Sequence, residues 1–143
     1  MASGIYLKGQ ENILNGTINL GSDNLKVALI SPSYVANFAA HENWSDISSY
    51  EITGTGYTSG GTIIGSKTIT SDGTDTTTLD SADTVLSNVT TDTDFRYVVL
   101  YSSTANKLIS LYDIGVDWQL ISDDFTMVVD PSGYLYTVKQ AVA

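Results

Sequence analysis

His41 followed directly by Glu42 is the one place where an imidazole and a carboxylate adjoin in this chain. On a helix, two histidines four residues apart with a glutamate beside the first hold zinc and supply a general base. Here the fourth position on is Ser45, and there is no second histidine. A loop histidine beside Trp44 is therefore the favoured reading. A Ser-His-Asp triad would have to recruit His41, yet no Gly-x-Ser-x-Gly elbow and no Ser-x-x-Lys pair occurs. Gly54-Thr55-Gly56 begins like a dinucleotide loop, but Ser59 stands where the third glycine is required and no βαβ unit surrounds it. Carboxylates pair at Asp72/Asp75, Asp80/Asp83, Asp92/Asp94 and Asp123/Asp124. Such pairs serve glycosidases and calcium loops, but solvated turns contain them routinely, and none follows the D-x-D-x-D-G spacing. Asp92/Asp94 alone is kept as a Ca²⁺ candidate. Tyr34, Trp44, Tyr50 and Tyr57 could stack on sugar faces, or could anchor a long loop on a sheet or on a partner protein.

Composition narrows the classes further. The chain has 143 residues, no cysteine, six basic and sixteen acidic side chains, and a net charge of −10. Phosphate backbones and anionic membranes call for clustered Lys and Arg, whereas Lys8, Lys26, Lys67, Arg96, Lys107 and Lys139 are scattered singly. Neither nucleic acid nor membrane is expected as a partner. No stretch approaches the roughly 20 apolar residues of a membrane span, and residues 1–10 lack the apolar run of a signal peptide. No cofactor is implied. Nine tyrosines dominate the aromatics, a residue suited to half-buried sheet faces and interfaces.

The elements that would position these residues are mostly strands. A short helical turn is expected over 8–15, closed by Gly16. Residues 17–20 and 25–31 read as a hairpin around Gly21-Ser22-Asp23-Asn24. In its second strand Leu25, Val27 and Leu29 share one face and Ala28 and Ile30 the other, so burial is expected along most of its length. Residues 31–61 form a long irregular loop, which in a compact domain is often functional. Strands follow at 62–70, 76–80 and 83–90, with a turn at 71–74. The strongest strand is 95–101, apolar on both faces and so placed centrally, with 108–114 pairing back on it. A last hairpin is expected from 125–130 and 134–139, because Asp130-Pro131-Ser132-Gly133 suits a type I turn. About eight short strands with regular turns indicate one antiparallel, all-β sandwich or barrel domain over 1–143.

Several segments together resemble small structural virion proteins of tailed bacteriophages. They are Lys8-Gly9-Gln10-Glu11-Asn12-Ile13-Leu14-Asn15-Gly16-Thr17-Ile18-Asn19-Leu20, Leu25-Lys26-Val27-Ala28-Leu29-Ile30, and His41-Glu42 with Trp44-Ser45-Asp46-Ile47. The others are Gly54-Thr55-Gly56-Tyr57-Thr58-Ser59-Gly60-Gly61 and Phe95-Arg96-Tyr97-Val98-Val99-Leu100-Tyr101. The motifs are structural rather than catalytic. The resemblance implies a capsid decoration, or cement, protein: not an enzyme, made in the host cytoplasm and carried on the virion. Its expected partners are the major capsid protein and further copies of itself, as a homotrimer. A tail or fibre component with a carbohydrate-binding surface is the alternative. The expected contact residues are Tyr34, Phe38, His41, Trp44, Tyr50 and Tyr57 of the long loop, with Ile5 and Tyr6 of an N-terminal arm over 1–12.

Overall fold

The computed structural model describes residues 3–128 and 137–139. Its strands are β1 (Gly4–Ile5), β2 (Leu25–Ile30), β3 (Gly54–Thr55), β4 (Thr62–Ile63), β5 (Thr68–Ser71) and β6 (Thr76–Asp80). They continue with β7 (Thr84–Thr91), β8 (Phe95–Ser102), β9 (Lys107–Trp118), β10 (Asp123–Met127) and β11 (Thr137–Lys139). Two short helices, α1 (Leu7–Leu14) and α2 (Trp44–Ile47), interrupt them. The chain is thus mostly β, and every described strand pair is antiparallel.

The strands form three sheets. Five run in the order β1-β9-β8-β2-β4, three in the order β10-β7-β3 and three in the order β11-β6-β5. β8 sits at the centre of the largest, as its doubly apolar sequence predicts. Apolar residues on both faces of this sheet are covered. Leu25, Val27, Leu29, Val98 and Leu100 join one core with Leu79 of β6, Leu86 and Val89 of β7, and Ile18, Leu20 and Leu120. Ala28, Ile30, Tyr97, Val99 and Tyr101 join a second core with Tyr6, Tyr34 and Ile47. Each large side chain buried this way contributes about 1.5–3 kcal/mol relative to exposure.

α1 ends where expected: Asn15 N–H donates to Glu11 O, and Gly16 takes φ +85°. The helix lies directly on β9, where a Cβ at Gly9 would come within 2.5 Å of the Leu108 carbonyl oxygen. A glycine inside a helix costs about 1 kcal/mol relative to alanine, and this close approach is what it permits.

Four expectations need correction. Residues 17–20 form turns, not a strand, because side chains take over the backbone bonds. Asn19 Oδ1 accepts from Gly21 and Ser22 N–H, and Asp23 Oδ2 accepts from Asn19 N–H. β2 pairs instead with β8 and β4. The span 62–70 is broken into β4 and β5, with Ser66 between them at φ +54°. Among the described residues the last two strands take other partners, β10 with β7 and β11 with β6; residues 129–136, with the expected turn, lie outside the described residues. The N-terminal segment from Gly4 onward is no free arm, since β1 pairs with β9 at Leu111 and Ser110.

Candidate interaction surface

The long segment after β2 folds back over the five-stranded sheet, and its aromatic residues turn inward. Tyr34 is 1% exposed. Its hydroxyl lies 2.9 Å from that of Tyr6 and 2.8 Å from His41 Nδ1. Asn37 N–H also donates to His41 Nδ1, at 3.2 Å. A backbone N–H can only donate, so Nδ1 carries no proton and accepts from Tyr34 as well. Tyr6 O–H therefore donates to the Tyr34 oxygen, giving a directed relay from Tyr6 through Tyr34 to His41. Burial, the larger cause, together with the hydrogen bond to Tyr34 raises the Tyr6 phenol far above its ordinary value. Burial likewise pushes Tyr34 up to about 12.

The neighbouring residues complete this cover. Phe38 packs on the Tyr6 ring at 5.2 Å, and its carbonyl accepts Leu7 N–H. Tyr50 lies 5.3 Å from the Tyr34 ring and is 39% exposed. Trp44 opens α2 and stacks flat on Tyr101, with centroids 4.3 Å apart. Asp46 Oδ2 accepts N–H bonds from Asn43 and Glu42, which hold its carboxyl below the usual range. Glu42 turns away from His41 toward Asn12 Nδ2 and Lys107 Nζ, each at 3.2 Å, and both bonds lower its pKa.

Farther along, the cover becomes an edge strand in function. The buried Tyr57 oxygen accepts Leu29 N–H at 3.0 Å, while Ile52 N–H donates to Leu29 O and Ile64 N–H to Leu25 O. Glu51 grips Gly60 N–H with both carboxylate oxygens, at 2.7 and 3.0 Å. Burial raises the Glu51 carboxyl and the Gly60 bond opposes that rise. Tyr101 donates its hydroxyl to Gly60 O.

The structure therefore gathers Tyr6, Tyr34, Phe38 and Trp44 at the protein's own second core, while Tyr57 joins the first. Tyr6, Tyr34 and Tyr57 are buried; Ile5, Phe38, His41 and Trp44 are half-buried; only Tyr50 among them is exposed. A flat Trp44 face already stacked on Tyr101 is poorly placed to receive a sugar. Among the described residues, no three His, Asp or Glu side chains converge as a metal site. Asp92 instead accepts from Thr53 Oγ1 at 2.8 Å.

Val35 and Tyr50 of the long segment are exposed, and further exposed apolar residues lie along the end of β9. β8 and β9 pair Tyr97 with Asp113 but Phe95 with Trp118, so β9 bulges over 114–117, with Ile114 still packed on the first core. Arg96 sits against the bulge, 3.0 Å from Asp113 and 3.4 Å from Asp117. Val116 and Trp118 at the bulge are about half exposed, as is Tyr112 before it, and Ile121 just beyond is 73% exposed. The sequence pattern predicts a strand that ends at Ile114. The alternation Val116-Asp117-Trp118 after Gly115 was the available signal for its extension. Arg96 and Lys107 pair with carboxylates, and Lys67 Nζ donates to the carbonyls of Leu20 and Asp23. No family model matches the chain, and no curated protein or solved structure is significantly similar to it.

Proposed function

We propose that this chain is a structural virion protein of a tailed bacteriophage, a decoration protein that binds the outer head surface and ties major capsid subunits together. In this reading the sheets stack as a β-sandwich, the protein assembles as a homotrimer, and many modest contacts add up to firm attachment. The segment resemblance supports the kinship. The observation that carries the contact is the exposure of Tyr112, Val116, Trp118 and Ile121 along and just beyond the second half of β9. Tyr and Trp are the residues that most often dominate binding energy when a partner covers them. The loop aromatics serve this function indirectly, by making the body rigid.

Binding of purified protein to heads lacking it, followed by co-sedimentation, tests the reading. Wild type should bind, and Trp118→Ala should weaken binding by at least about tenfold, the effect of a central aromatic anchor. Cryo-microscopy that located the protein only in the tail would overturn it. Exposure of the Trp118 ring also favours the second reading, a tail or fibre component that stacks on sugars. Glycan-array binding that is lost in Trp118→Ala would select that reading instead.

A further inference from the structure

β5 is the one strand, of those with described side chains, whose every residue is exposed. It ends its sheet, with β6 on one side and no described strand on the other. Its single apolar side chain, Ile69, is half exposed, so packing within the chain does little to hold it.

The register fixes which backbone groups face outward. Asp72 N–H donates to Thr76 O across the turn, and Thr70 lies opposite Thr78, Ile69 opposite Leu79. Hydrogen-bonded and non-hydrogen-bonded pairs alternate along an antiparallel ladder. Asp72, Thr70 and Thr68 therefore direct their N–H and C=O toward β6. Ile69 and Ser71 direct theirs away from it.

Exposed edges are ordinarily blunted by lysine, proline, a bulge or an inward charge. β5 has no proline, charge or bulge. Its neighbour Lys67 folds its amine back onto the Leu20 and Asp23 carbonyls. A chain of net charge −10 repels copies of itself over most of its surface. This uncharged edge is where a second copy can approach.

We infer that β5 pairs antiparallel with β5 of a second copy, about a two-fold axis through Thr70. Ile69 of each copy then faces Ser71 of the other, and each facing pair exchanges two N–H···O bonds. Thr70 meets its own counterpart as a close non-hydrogen-bonded pair, with Cα atoms about 4.5 Å apart. One patch satisfies both partners, as an isologous contact requires. The antiparallel sense also sets the acidic turn of Asp72 and Asp75 beside the Lys67 end of the other strand; a parallel pairing would bring the two acidic turns together. The contact goes beyond the proposed attachment to heads, involves a different part of the molecule, and stands or falls on the purified protein alone.

Sedimentation of the full chain over a concentration series tests it, with wild type beside Thr70→Glu, Thr70→Lys and their equimolar mixture. Wild type should reach twice the mass of either variant, because like charges directly opposite disfavour pairing. The mixture should recover the doubled mass. Ile69→Pro, which removes an outward N–H and no bond to β6, should likewise halve the mass while leaving the circular dichroism unchanged. Variants that match wild type in mass, or a mixture without rescue, would overturn the inference. Amide exchange on wild type gives a readout free of mutation: Ile69 and Ser71 should gain protection as concentration rises. Protection independent of concentration would assign the edge to another segment of the same chain, and no protection would leave it unpaired; either overturns the inference.

Discussion

The direction of the Tyr6–Tyr34–His41 relay makes its two hydroxyls unequal. Tyr34 both accepts from Tyr6 and donates to His41 Nδ1, so Tyr34→Phe strands the buried Tyr6 donor. A buried polar group left without a partner costs about 1–3 kcal/mol. Tyr6→Phe removes a donor and leaves Tyr34 still bonded to His41, so its loss should be smaller. Urea unfolding of the two variants at equal m-value checks the order, and an equal or reversed order would refute the assigned direction. Tyr57→Phe should also cost about 1–3 kcal/mol, because the buried Leu29 N–H then has no acceptor. Protection of the Leu29 amide against exchange would fall with it. That tyrosine would be prominent in sheet faces was legible in the sequence. Which hydroxyl meets which group was not, since Tyr6 and Tyr34 adjoin only after the cover closes.

At the scale of elements, the segment 31–61 is a cover that supplies one core face and then an edge for β2. Gly61 marks how tightly it lies: a Cβ there would fall 2.1 Å from the Val27 carbonyl oxygen, and its φ is +86°. Gly61→Ala should therefore lose about 3 kcal/mol or more, from overlap and an unfavourable backbone together. Gly65→Ala, facing open space, should change the unfolding midpoint little. A comparable loss in both would show that the contact with β2 is not what fixes Gly61. The turn between β5 and β6 was readable from Ser71-Asp72-Gly73-Thr74. There Asp72 Oδ1 accepts N–H bonds from Thr74, Asp75 and Thr76, which hold its carboxyl below the usual range. The false hairpin at 17–31 had equally good local signals. Asn19 and Asp23 use the same turn chemistry to replace the ladder that those signals suggested.

For the whole molecule, the buried phenols set a limit at high pH. Burial pushes Tyr34 and Tyr101 up to about 12, and raises Tyr6 and Tyr57 in the same direction. An unfolded tyrosine ionises near about 10. The folded state thus favours the protonated form, and this contribution is fully present below pH about 10. It is lost as pH rises from there through about 12. Near-UV dichroism should collapse cooperatively in that window while absorbance at 295 nm rises with it. Ionisation that proceeded gradually under an unchanged near-UV signal would contradict the buried network.

The β class, the centrality of β8, the burial of β2 and the stop of α1 at Gly16 are all readable along the chain. Each of these follows from local periodicity or from the backbone freedom of one residue, which neighbours along the chain suffice to express. Folding sets the inward packing of Tyr34, Phe38, Trp44 and Tyr57, the pairing of the described parts of β10 with β7 and of β11 with β6, and the apolar surface at the end of β9. Those outcomes depend on which distant strand offers a free edge or an uncovered face. No local pattern encodes that choice, because an apolar aromatic residue is equally suited to a core within the chain and to a partner outside it.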